Sequence, residues 1–108
     1  MPFRTFVAAL AVAAAACAPQ FRYTPTTSAT ATAKPADCSF DILSTRPSRP
    51  YDELGVLDLA SGYQLHDAGR FRETIRPQAC AAGADAVLAD ITNSGGYIRG
   101  TLIRYRAQ

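Results

Sequence analysis

Four patterns of hydrophobic and polar positions succeed one another along the chain. Phe6–Ala16 is an unbroken apolar run, FVAALAVAAAA. Ala18–Ala36 is rich in Thr, Ala and Pro and carries no sustained apolar period. Such a stretch buries too little surface to offset its ordering entropy, and predicts a disordered or polyproline-like spacer, with docking of Phe21 and Tyr23 on the domain as the alternative. Order is expected from Cys38 onward. Ser39–Thr45 alternates, with Phe40 and Ile42 on one side, which predicts a strand. The two prolines of Arg46–Pro50 end it. Tyr51–Leu59 is apolar on both faces and predicts a second strand, central in its sheet.

A helical period follows. Phe71, Ile75, Ala79 and Ala82 recur every three or four positions, Asp67 is placed to cap the helix, and Gly83 to end it. Pro77 falls inside and predicts a kink or a break. Ala86–Asn93 and Tyr97–Arg106 then predict a hairpin around Ser94-Gly95-Gly96. The register that sorts core from polar face sets Ile91 opposite Ile98, Ala89 opposite Gly100 and Val87 opposite Leu102. It also puts Asp90 across from Arg99. The expected fold is α+β: a two-layer β-β-α-β-β sandwich with a four-stranded sheet, one Pro-broken helix and a C-terminal hairpin. Phe40, Ile42, Phe71, Ile75, Val87, Ile91, Ile98 and Leu102 should form much of its core.

Composition changes this picture in two ways. The apolar run follows Arg4 and has the length of a signal-peptide core. Its 11 residues would cover only about 16 Å as a helix, too little to span a bilayer. Met1–Ala16 is therefore expected to be an export signal. It contains one basic residue, so the remainder keeps ten of the 11 Lys/Arg against nine Asp/Glu. That near-neutral balance argues against nucleic acid as a partner. The expected layout is a signal peptide at 1–16, a cysteine and spacer at 17–36, and one small domain at 37–108.

The three residues before Cys17 are alanines, and the run Ala14-Ala15-Ala16-Cys17 resembles a bacterial lipobox. The resemblance implies that Cys17 is acylated and becomes the new N-terminus. Ala14 stands where the pattern usually has Leu or Val, and an all-Ala run also suits ordinary signal peptidase, which would leave a free thiol. Ala18, where inner-membrane lipoproteins of Gram-negative bacteria typically carry Asp, points by the same resemblance to the outer membrane, with the domain facing the periplasm or the cell surface. With Cys17 assigned to lipid, Cys38 and Cys80 remain as an even pair in an oxidising compartment, which predicts a disulfide. Two free buried thiols and metal ligation are the alternatives.

Arg49–Leu59 (RPYDELGVLDL) and Ala79–Ile91 (ACAAGADAVLADI) resemble segments of two groups of small bacterial domains, the RcsF type and the YbjQ type. The first are outer-membrane lipoproteins that sense envelope damage; the second are often labelled heavy-metal-binding and form rings. The resemblance implies an α+β fold and an envelope location. It departs at the cysteines, which suffice here for one disulfide rather than two, and at the helix, which is shorter and holds Pro77.

The chemistry-bearing residues are few. His66, the single histidine, has no identifiable nucleophile or orienting partner, so catalysis is not expected, nor is a cofactor. Arg70, Arg72 and Arg76 read as a solvated helix face, with attraction to anionic headgroups as the alternative. Tyr97, Arg99, Ile103 and Tyr105 are the expected contact surface for a protein partner or a second copy of the chain, on the outer sheet face. The leading functional expectation is a lipid-anchored, non-catalytic envelope binding, adaptor or sensor module. Metal handling by Cys80, His66 and Asp67 is the rival reading.

Overall fold

A computed structural model describes residues 18–107. Among the described residues five strands and one helix occur in the order β1 (Gln20–Pro25), β2 (Asp41–Leu43), β3 (Tyr51–Ser61), α1 (Ala68–Ala82), β4 (Ala86–Ile91) and β5 (Tyr97–Tyr105). They form one mixed sheet in the order β1-β3-β5-β4-β2. Only β2 and β4 pair in parallel; the other three pairings are antiparallel. The helix packs on one face.

This corrects the expected four-stranded β-β-α-β-β sandwich. The fifth strand, β1, comes from the stretch read as a spacer and pairs with β3 from Phe21 opposite Leu59 to Pro25 opposite Gly55. Phe21 is buried, and its ring meets Phe71 edge-on at 5.5 Å between centroids. The rest of that stretch crosses the far end of the sheet, from the β1 edge to the β2 edge, and is tied down on the way. Lys34 donates its backbone N–H to the Cys80 carbonyl at 2.8 Å, and its Nζ reaches Asp85 at 2.6 Å. Arg104 donates to the Thr30 carbonyl at 2.9 Å.

Local reading holds where neighbours in the sequence decide the geometry. The Asp67 side chain accepts from the Arg70 N–H at 2.9 Å, and Gly83 adopts the left-handed conformation at φ 77° that ends the helix. Pro77 does not break α1, which runs through it as one element. Its ring sits on the exposed side, where water can satisfy the carbonyl it leaves unpaired, while Phe71, Ile75, Ala79 and Cys80 hold the other side in the core. The disulfide is present: Cys38 and Cys80 are bonded, with Cα atoms 5.8 Å apart.

The hairpin register is as expected for Val87–Leu102, Ala89–Gly100 and Asp90–Arg99, then shifts. A bulge sets Ile91 opposite Tyr97 instead of Ile98. The Tyr97 ring thereby stacks on Phe71 at 4.7 Å, and Ile91 and Ile98 are left 44% and 37% exposed. Both leave the expected core list, and Phe21, Leu54, Leu57 and Leu65 enter the core.

Strands β2 and β3 run the same way, since β2 is parallel to β4 and both β3 and β4 are antiparallel to β5. Their connection, residues 44–50, must therefore return across the sheet. It does so on the face away from the helix, where Ser44, Thr45 and Arg46 line a hollow with Leu88 and Thr101. The Arg49 guanidinium lies 4.0 Å from the centre of the Tyr105 ring.

Candidate functional site

A cleft of about 540 Å³ lies at the corner where β3 passes into α1. Local sequence shapes it. Gly62 turns the chain out of β3 at φ 90°, a left-handed value that suits glycine. Leu65 then folds back, its carbonyl accepting from the Tyr97 N–H at 2.8 Å, and Asp67 starts the helix. Pro19 and Leu65 give the cleft an apolar floor, with Tyr63 standing 59% exposed beside it. Arg70 and Arg72 reach its rim. Among the described residues neither has an ion-pair partner. Chemically the cleft combines this apolar floor with a mixed rim, the carboxylates of Asp67 and Glu73 beside the arginines.

Arg76, the third arginine of that helix, has a structural role. It pairs with Glu73 at 2.6 Å, donates to the Cys38 carbonyl, and lies over the Phe40 ring at 5.7 Å. It thus ties α1 to the lead into β2, beside the disulfide. Its hydrogen bond holds the Glu73 carboxyl below its usual range.

The four residues expected to form an open contact face are placed differently. Tyr97 is stacked under the helix side on Phe71, because the bulge turns it there. Ile103 is fully buried, because the β2–β3 connection crosses that face. Arg99 pairs with Asp58 of β3 at 2.7 Å, and Tyr105 lies beneath Arg49. They share no open surface. The metal grouping is not assembled either. Cys80 is spent in the disulfide, and Asp67 lies 13 helical positions away, about 20 Å along the axis. Among the described residues no cluster of three or more His, Cys, Asp or Glu side chains is placed to hold a metal. His66 lines a shallow hollow with Tyr63, Gln64 and Arg70 at the helix start. Cys17 lies outside the described residues.

The opposite end of the sheet is ionic. Asp52 receives Arg104 at 3.0 Å and Arg106 at 2.8 Å, and these hydrogen bonds hold its carboxyl low, Arg104 contributing most. Burial pushes the Asp85 carboxyl up. Lys34 and the Tyr105 N–H, at 2.6 and 2.8 Å, together outweigh that and hold it below the usual range. A carboxyl lowered by folding contributes stability that is fully present above its unfolded value, about 3.9, and is lost as pH falls through the folded value. The chemical denaturation midpoint should therefore hold near neutrality and fall below about pH 4. Asp85→Asn should lower the neutral plateau by about 1–2 kcal/mol and flatten the acid limb. An acid limb unchanged in both Asp85→Asn and Asp52→Asn would show that other groups govern it.

Sequence reasoning placed Phe21 and Tyr23 in the spacer and kept their docking on the domain as the lesser alternative, which is the arrangement observed. The signal was present as a short alternation in Gln20–Thr24, Phe21 and Tyr23 facing one way and Arg22 the other, within a Thr/Pro-rich stretch. No family model, curated protein or solved structure matches the chain.

Proposed function

We propose that this chain is an exported, lipid-anchored and non-catalytic binding or adaptor domain of the bacterial cell envelope, held at the outer membrane by Cys17. The Cys38–Cys80 disulfide carries the reading, because such cross-links persist in oxidising compartments and are rare in the cytosol. The apolar run before Cys17 agrees with it. Among the described residues no helix is long and apolar enough to cross a membrane. An acyl chain on Cys17 supplies the attachment in this reading.

The test is the intact mass of the protein purified from membranes of a Gram-negative host, before and after reduction. The expected mass begins at Cys17, carries a diacylglyceryl and an acyl group, and rises by two hydrogens on reduction. An unmodified N-terminus with no gain on reduction would overturn both compartment and anchor.

A further inference from the structure

Three large hydrophobic side chains stand exposed among the described residues: Tyr63, Ile91 and Ile98. All three lie at the same end of the sandwich. Tyr63 is in the loop after β3, Ile91 closes β4, and Ile98 lies near the start of β5. Asp52, Asp85, Arg104 and Arg106 gather at the other end, whereas at the Tyr63 end Arg99 pairs with Asp58 at 2.7 Å and faces Asp90. With β5 nine residues long, the two ends are about 27 Å apart.

The chain enters the fold at the apolar end. Ala18 and Pro19 lie directly on the turn at Gly62: a Cβ added there would sit 2.7 Å from the Pro19 Cα and 2.9 Å from the Ala18 oxygen. Gln20 is already in β1, opposite Ser61. Cys17 is therefore one peptide unit, about 3.8 Å between Cα atoms, from a residue packed on the domain. The stretch expected to be a spacer leaves no length for one.

From this we infer that the apolar end, with Tyr63 at its tip, rests in the headgroup layer of the bilayer that holds the Cys17 lipid. The ionic end then points away from the membrane. The inference rests on acylation of Cys17. The headgroup region is about 5–8 Å deep on each side. An anchor attached one residue from the fold cannot hold the domain clear of it. Tyr63 suits that depth, because an amphipathic ring is favoured at the interface between hydrocarbon and water. The exposed Arg70 at the same end can meet lipid phosphate.

The chain contains no Trp, so a single one reports its own surroundings. Tyr63→Trp, Ile98→Trp and, at the far end, Ala107→Trp would each be made in the full chain and purified in mature form. Each would be reconstituted into phosphatidylethanolamine/phosphatidylglycerol vesicles with brominated acyl chains, its lipidation checked by intact mass. The expected result is a blue-shifted emission at positions 63 and 98, quenched several-fold more strongly than at 107. Lipidated protein with equal, weak quenching at all three positions would overturn the inference and leave the anchor standing. A blue shift at 63 without quenching would mean burial against protein, a second copy included, and would also overturn it. A mass without lipid would overturn the anchor and this inference together.

Discussion

Removing the Cys38–Cys80 disulfide is expected to cost about 4 kcal/mol of folding stability, the chain-entropy value for a loop of this length. The bond joins residues 42 apart in sequence, the first just before the short edge strand β2 and the second inside α1. Strand β2 has three residues and pairs with β4 alone, so it contributes little hydrogen bonding of its own. Without the covalent tie, Phe40 and the β2–β3 connection lose their anchor to the helix, leaving the Arg76 contacts to Cys38 and Phe40 to hold that edge. A domain of this size is stable by roughly 5–15 kcal/mol, so the loss is a large share of the total. Pairing Cys38→Ala with Cys80→Ala avoids a stray thiol. The double variant should melt roughly 15–30 °C lower, or fail to fold at 37 °C. A melting temperature within a few degrees of the parent would show that the core suffices alone.

Deleting the residues before Thr26 should cost a comparable amount, about 3–5 kcal/mol, which Phe21→Ala alone should largely reproduce. Phe21 is 8% exposed and packs edge-on against Phe71, whose other side is stacked by Tyr97. Its loss opens a cavity in the middle of the aromatic cluster. Gln78 also donates from the helix to the Phe21 carbonyl at 2.8 Å, so the deletion leaves that side chain unpaired. The full deletion further exposes the β3 edge, whose unpaired backbone groups invite self-association. A spacer that merely separated fold from membrane would predict a change within about 0.5 kcal/mol. Urea denaturation of the two variants beside the parent separates these outcomes, and a parent-like midpoint for Phe21→Ala would sink the assignment of β1 to the core.

These two expectations also mark the limit of what one-dimensional pattern shows. The disulfide was legible because, once Cys17 is set aside, the folded part holds two cysteines and no motif that competes for them. The helix was legible because its cap, its stripe and its terminal glycine are read within a window of 17 residues, Asp67 to Gly83. The hairpin register was legible as far as Asp90 and Arg99, where alternation and opposite charge agree. Beyond that point the bulge decides. Its cause is not local: Tyr97 gains a stacking partner, Phe71, that is distant in sequence. The burial of Ile103 was not legible for the same kind of reason. Nothing near Ile103 announces that residues 44–50 will cross over it.

What the sequence determined by itself is therefore what neighbours along the chain decide: the helix and its ends, the turns, most of one strand pairing, and the even cysteine pair. Only the tertiary structure decided which strand lies beside which. It recruited Gln20–Pro25 as an edge strand, because β3 offered it hydrogen-bond partners and Phe71 offered Phe21 a place in the core. The physical reason is range. Capping and periodicity act over a few residues, whereas burial depends on surfaces that meet only after the chain has closed on itself.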